Sequence, residues 1–376
     1  MMNPPSQILG RRLIRCAIIL STVACLVGFS QQLVRSQSNN TQLWQVFVKR
    51  DIDDLGFDQL IFVDMLTGEE STAEVFGERY TPAGNAVMFY DAANDRVMLA
   101  TPDGRVREHP FMQPGGGTRR VDWLVSLDGS TLAWTLTNGD SASALTTVTT
   151  VANMDGTNPR QAFVDGPREG IRALPVAFSA DNNTLYMDFQ PDGIGALTPF
   201  RQYAALFAVN IQTGEQEFLP DEPGCFCGAA IEAGLFLRLS VTDDLSGFDV
   251  LIYNLAGKVE QTIPALALPN YTQAGDILVA QDGMRAVYAL AQVRGFGSSN
   301  ESVRTVFVLV NLEDMTQTAL TEPITTYVQP VAWTEDNSAV IFTSPERDGT
   351  WKVNLDDGML DRVAEVTYVG ELVVGD

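Results

Sequence analysis

The stretch DIDDLGFD, residues 51–58, places Asp51, Asp53, Asp54 and Asp58 within eight positions beside a glycine. A hard cation such as calcium takes several carboxylate oxygens, and this segment could offer them. A near copy, TDDLSGFD at residues 242–249, contains Asp243, Asp244 and Asp249. Neither follows the twelve-residue calcium loop with its closing glutamate. Aspartate and glycine are also ordinary turn residues, because a short carboxylate accepts hydrogen bonds from amides just ahead of it. Calcium is thus the one cofactor the residues raise, against the plainer reading of a solvated turn that needs no cofactor.

Other reactive residues are few. Cys16 and Cys25 fall in an apolar N-terminal run, which leaves Cys225 and Cys227 in PGCFCG. Two thiols so close make half a metal site at most, and no histidine or second pair completes it. They are a candidate disulfide with a structural role. General base catalysis usually needs histidine, and the chain has one, His109, beside Pro110. No Gly-x-Ser-x-Gly elbow supports a serine hydrolase. PGGGTRR, residues 114–120, lacks the Gly-Lys-Ser/Thr ending of a phosphate-binding loop and reads as a flexible link. The plentiful aspartates leave a carboxylate-based glycosidase or lyase as the enzymatic alternative.

Charge narrows the partners. The 376 residues carry a net charge of −23. The first 36 hold four arginines and no acid, so without them 20 bases face 47 acids, a charge of −27. Such a chain repels nucleic acid and anionic membrane surfaces. Arg11, Arg12 and Arg15 precede the apolar run Cys16–Phe29, with small residues near Ser30. That is the pattern of an export signal over residues 1–30, followed by a polar linker over 31–41. Fourteen residues span roughly 21 Å as a helix, short of a bilayer's ~30 Å core, so cleavage is favoured over a retained anchor. The membrane is then a partner only through this segment, if uncleaved. The domain from residue 42 to 376 is expected outside the cytoplasm, periplasmic or at the cell surface.

The elements that must position these residues repeat. WLVSLDGSTLAW, VAFSADNNTLYMDF, LVAQDGMRAVYAL and VAWTEDNSAVIF each read as strand, tight polar turn, strand. Each is followed by a third strand ending in a turn, at Gly68, Gly104, Gly156, Gly214, Gly257, Asp314 and Gly358. Those turns span 290 residues over six intervals, about 48 each, the period of four-stranded propeller blades. No window keeps the spacing of a helix face. The expected fold is all-β: a seven-bladed propeller of four-stranded antiparallel blades. Blade one lacks its innermost strand and YVGELVVGD is left over at the end, so the two termini should pair and close the ring, leaving no open edge.

Ser126-Leu127-Asp128-Gly129, with Ser179, Asp181 and Asn182 in the next copy, resembles the blade turns of TolB-type, WD-repeat-like propellers. The resemblance covers roughly residues 42–376, though the proline usual in that turn is absent. It implies recognition or scaffolding and brings no catalytic residues. In such a layout the loops joining strands two to three, and the links between blades, share one face. Here they are the long ones, QPDGIGALTPFRQY, VRGFGSSNES, SPERDG, HPFMQPGGGTRR and PDEPGCFCG. Function concentrates on long loops. Arg119, Arg120, Arg168, Arg172 and Arg201 are assigned to that face, as candidates to pair with carboxylates of a partner or a sugar acid. Both aspartate-rich phrases join second to third strands, in blades one and five, so the phrase recurs because the blade does. The expected function is a non-catalytic module recognising a protein or peptide; the alternative is a glycan-binding or glycan-cleaving propeller.

Overall fold

Apolar runs flanking short polar turns form hairpins throughout, and four strands at a time make a blade. The computed structural model describes residues 42–50, 56–194, 200–232, 234–255 and 259–374. The expected signal and linker lie outside the described residues, as do Asp51, Asp53 and Asp54. Blade one contains β1 (Gln42–Lys49), β2 (Asp58–Asp64) and β3 (Glu70–Val75). Blade two is β4 (Glu78–Ala83), β5 (Ala86–Asp91), β6 (Arg96–Ala100) and β7 (Val106–Glu108). Blade three is β8 (Thr118–Val125), β9 (Thr131–Asn138), β10 (Leu145–Asn153) and β11 (Arg160–Arg168). Blade four is β12 (Ile171–Phe178), β13 (Thr184–Pro191), β14 (Leu206–Asn210) and β15 (Gln216–Phe218). Blade five is β16 (Ala229–Glu232), β17 (Leu235–Val241), β18 (Phe248–Asn254) and β19 (Val259–Ile263). Blade six is β20 (Gln273–Val279), β21 (Arg285–Arg294), β22 (Ser302–Asn311) and β23 (Thr316–Ala319). Blade seven is β24 (Gln329–Trp333), β25 (Ala339–Ser344), β26 (Arg347–Asn354) and β27 (Leu360–Ala364). The last strand, β28 (Thr367–Val374), returns to blade one, whose order is β28-β1-β2-β3.

The ring is therefore seven-bladed and antiparallel, and the terminal strands close it. β28 pairs along β1 from Gln42↔Val374 to Val48↔Thr367, with one irregularity between Val46 and Phe47. Gly370 sits at that irregularity with φ 148°. A Cβ there would lie 2.6 Å from Pro82 Cγ of β4, so no side chain fits. Each pair of neighbouring blades buries its own apolar cluster, for example Leu237 and Val250 of blade five with Tyr288 and Val308 of blade six. The interface of blades seven and one also has its own, with Phe47, Val63 and Val363 buried. Cohesion thus runs around the whole circle, as stacked sheets require.

The turns joining first to second strands share a chemistry that the sequence pattern foreshadows. Ser126 Oγ donates to Asp128 Oδ1 at 2.6 Å, and the same oxygen accepts Ser130 N at 3.0 Å. Ser179–Asp181–Asn183 repeats this at 2.7 and 3.1 Å, and Thr334–Asp336–Ser338 at 2.8 and 3.0 Å. Donors on both sides hold the Asp128, Asp181 and Asp336 carboxyls down at about 2. Asn182 and Asn337 adopt the left-handed conformation and reach back to Asp128 and Asp282 of the preceding blade, at 3.0 and 3.1 Å. On this face, then, polar side chains of these turns work on the turns themselves and on links to the neighbouring blade.

Candidate functional site

The opposite face holds the long loops, and there arginines gather where innermost strands begin. Arg79 is the second residue of β4, Arg119 and Arg120 the second and third of β8, and Arg172 the second of β12. Successive inner strands thus bring four guanidiniums to one sector of the axial mouth. Asp122, two residues along β8 from Arg120, is the hub for three of them. Arg120 Nε donates to its Oδ1 at 2.9 Å and Arg172 Nη1 to its Oδ2 at 2.5 Å. Arg79 Nη1 lies 3.7 Å from the same carboxylate and donates to Val121 O at 2.5 Å. Arg79 also stands over the rings of Trp123 and Tyr90, 4.5 and 4.9 Å from their centres. Asp192 accepts Arg119 Nη2 at 2.9 Å and lies 3.9 Å from Arg172 Nε.

Burial grades the roles of the four. Arg172 is 2% exposed, and its Nε has no hydrogen-bond partner among the described residues. Burial pushes the Arg79 and Arg172 guanidiniums below their ordinary value, while Asp122 beside them pushes the other way. Both stay cationic at neutral pH, since an arginine does not lose its proton in proteins. Arg119 and Arg120 keep 37% of their side-chain surface open to solvent. The sector therefore has a buried ionic floor and two solvent-facing guanidiniums, the arrangement that receives a carboxylate in bidentate fashion.

The other two arginines expected on this face are placed differently. Arg168 ends β11, on the outer strand of its blade, ion-paired to Asp165 at 2.6 Å and lying 4.4 Å over the Phe189 ring. Arg201 belongs to a crossing segment, residues 200–205. Its Nε donates to the buried Asp276 of β20 at 2.7 Å, so it fastens blade four's loop to blade six. Tyr203 exchanges backbone hydrogen bonds with Cys227 at 2.9 and 3.2 Å, just before β16. Gln202 Nε2 donates to Ala274 O at 2.9 Å. Phe200, 3% exposed, enters the core of blades six and seven, 5.9 Å from the Tyr327 ring. The approach is so close that a Cβ on Gly275 would meet Arg201 O at 2.6 Å. This half of the loop read as QPDGIGALTPFRQY is therefore packing, laid along the inner edge of blade five.

A residue outside the expected set holds this arrangement. Arg238 of β17, 4% exposed, donates to Cys227 O at 2.8 Å, Cys225 O at 2.7 Å and Tyr203 O at 3.1 Å, and pairs with Glu222 at 2.8 Å. Its partners sit in other loops, so its position in LRLS carries no sequence signal. Arg79 did have one, since arginine near the start of the inner strand recurs in three successive blades. Cys225 and Cys227 are joined by a disulfide, S–S 2.01 Å, within the same link.

The aspartate-rich loop of blade five behaves as a turn. Asp244 Oδ1 accepts Ser246 N at 3.1 Å, Ser246 Oγ at 2.6 Å and Thr242 Oγ1 at 2.8 Å, the pattern of the blade turns above. Asp249 Oδ1 accepts Ala265 N at 2.8 Å, and Asp58 Oδ2 accepts the Tyr80 hydroxyl at 2.6 Å. Among the described residues no three His, Cys, Asp or Glu side chains gather as a metal requires. His109 is 4% exposed, and its Nδ1 accepts Met112 N at 3.1 Å. Burial, with Arg107 nearby, lowers it to about 4, so it is neutral at physiological pH.

No family model and no curated protein matches this sequence. Solved structures do match by fold. An oligogalacturonate lyase in complex with manganese aligns with TM-score 0.51 and 13% identity, over 87% of this chain and 86% of its own. A Mycobacterium tuberculosis puromycin-hydrolyzing peptidase aligns with TM-score 0.53 and 14% identity, over 88% of this chain. Leishmania major oligopeptidase B aligns with TM-score 0.51 and 12% identity, over 95%. The chain spans about half the length of each peptidase, 52% in both cases. At such identities the likeness is one of fold.

Proposed function

We propose that this is an exported, non-catalytic propeller of TolB-type repeats that recognises a protein or peptide on its long-loop face. Its contact is a carboxylate of the partner docking at Arg119 and Arg120. The observation that carries this reading is a cluster of four guanidiniums, two of them open to solvent. Arg79, Arg119, Arg120 and Arg172 pair with Glu78, Asp122 and Asp192, and the buried Asp188 acts on Arg172 as well, so the exposed part of the cluster is Arg119 and Arg120. On a chain of net charge −23 that sector offers exposed cations to an acidic partner. Like charge elsewhere repels acidic partners and directs them to it, which favours specificity and encounter rate. The Cys225–Cys227 disulfide suits an oxidising compartment, in keeping with export.

A second reading follows from the same guanidiniums, because uronate sugars carry carboxylates too. One of the fold neighbours is an oligogalacturonate lyase. The two readings separate in one experiment. Tagged exported chain and its R119Q/R120Q variant are compared for co-purified protein, and both are applied to a glycan array with a reducing-sugar assay. The expected result is a partner retained by the wild type, at least tenfold depleted in the variant, with no sugar bound or released. Equal recovery with both proteins overturns the site, and uronate-specific binding or product release transfers it to the glycan reading.

A further inference from the structure

A separate cavity of ≈ 590 Å³ opens on the long-loop face between blades six and seven, away from the arginine sector of blades two to four. β21 and β22 are the longest strands among the described residues, ten each, and their last rungs build one wall. Gln292 is opposite Arg304 and Arg294 opposite Ser302. Side chains two apart along a strand share a face with those directly opposite, so all four stand on one side of the ribbon. All four line the cavity, with Glu301 from the β21–β22 loop and Glu346 from the β25–β26 turn of blade seven.

The state of these groups points to a ligand. The exposed side chains of Arg294 and Arg304 have no ion pair or hydrogen bond with a described residue. The Gln292 side chain also has no hydrogen-bond partner among the described residues, and it lines the cavity. Glu346 is held in place by a hydrogen bond from Thr326 Oγ1, and Glu301 by one from Gly297 N at 2.7 Å. Uncommitted cations and anchored anions thus face one small space.

We propose that this cavity binds a short peptide with both termini free. The C-terminal carboxylate meets Arg294 and Arg304, the N-terminal ammonium meets Glu346 and Glu301, and the Gln292 amide pairs with a peptide group between them. Two guanidiniums suit a carboxylate, whereas a lone anion would be repelled by the two glutamates and a lone cation by the two arginines. This site does not depend on the partner-binding reading above. Calorimetry on the folded exported chain tests it with three probes: trialanine, N-acetyl-trialanine and trialanine amide. Trialanine is expected to bind, and each capped form to bind at least tenfold more weakly. R294Q/R304Q should erase the difference between trialanine and its amide, and E346Q the difference between trialanine and its acetylated form. Absence of heat with millimolar trialanine overturns the proposal, as does equal binding of the capped peptides to the wild type. The wild-type comparison decides even if a variant folds poorly.

Discussion

Asp188 illustrates how single residues of this ring are set by partners outside their own strand. It is fully buried on β13 and accepts Ala205 N at 2.7 Å and Ala204 N at 3.1 Å, anchoring the crossing segment where it rejoins blade four. Burial raises its carboxyl to about 6, although those amides, Gln190 and Arg238 pull it down. A folded value above the unfolded one of roughly 3.9 gives stability that is fully present below the unfolded value and lost as pH rises through the folded one. D188N cannot titrate, so its melting temperature relative to the wild type should rise between pH 4 and pH 6 and level off above. Parallel melting curves across that range would refute the assignment. The same dependence on remote partners explains what was legible among the arginines. Arg119, Arg120 and Arg172 could be placed from blade position alone. Arg201 could not, because Asp276, which claims it, lies 75 residues away. Asp122 was equally hidden, yet without it Arg172 would be a buried charge with little compensation, a loss of about 3–5 kcal/mol.

At the scale of elements, the strands were the readable part. Alternating apolar residues and tight Asp-containing turns dictate local pairing, and β28 could be assigned to blade one because a ring tolerates no unpaired edge. Loops were read by length, and length misled for QPDGIGALTPFRQY. Phe200 and Tyr203 were the available clue, since large aromatic side chains bury when they can. The latch strand makes the sharpest element-level prediction. β28 fills the inner edge of blade one, with Leu372 1% exposed, and it borders an interface with three buried apolar residues. Deleting residues 367–376 should lower the melting temperature by more than 10 °C, measured by circular dichroism, as expected for an exposed inner edge and several lost apolar contacts. An unchanged transition would mean that closure contributes nothing.

For the whole molecule, the blade count followed from a repeat of about 48 residues, and the assignment of loops to faces followed from antiparallel order. What the sequence could not provide was which blades' arginines would meet, because that depends on the start of each inner strand and on which loop crosses the axis. The outcome is a ring with two unlike faces. On one, turns such as Ser126–Asp128–Ser130 spend their polar groups on themselves and on neighbouring blades. On the other, Arg119 and Arg120 remain open to solvent above a buried ionic floor. A photo-reactive residue placed at Gly116, beside that sector and open on its Cβ side, is the direct test when set against the same residue at Leu127, fully exposed on the opposite face. Irradiation of the protein among its cellular partners should give a discrete protein adduct from position 116 and none from position 127. An adduct from position 127 alone would contradict the assignment of the working face.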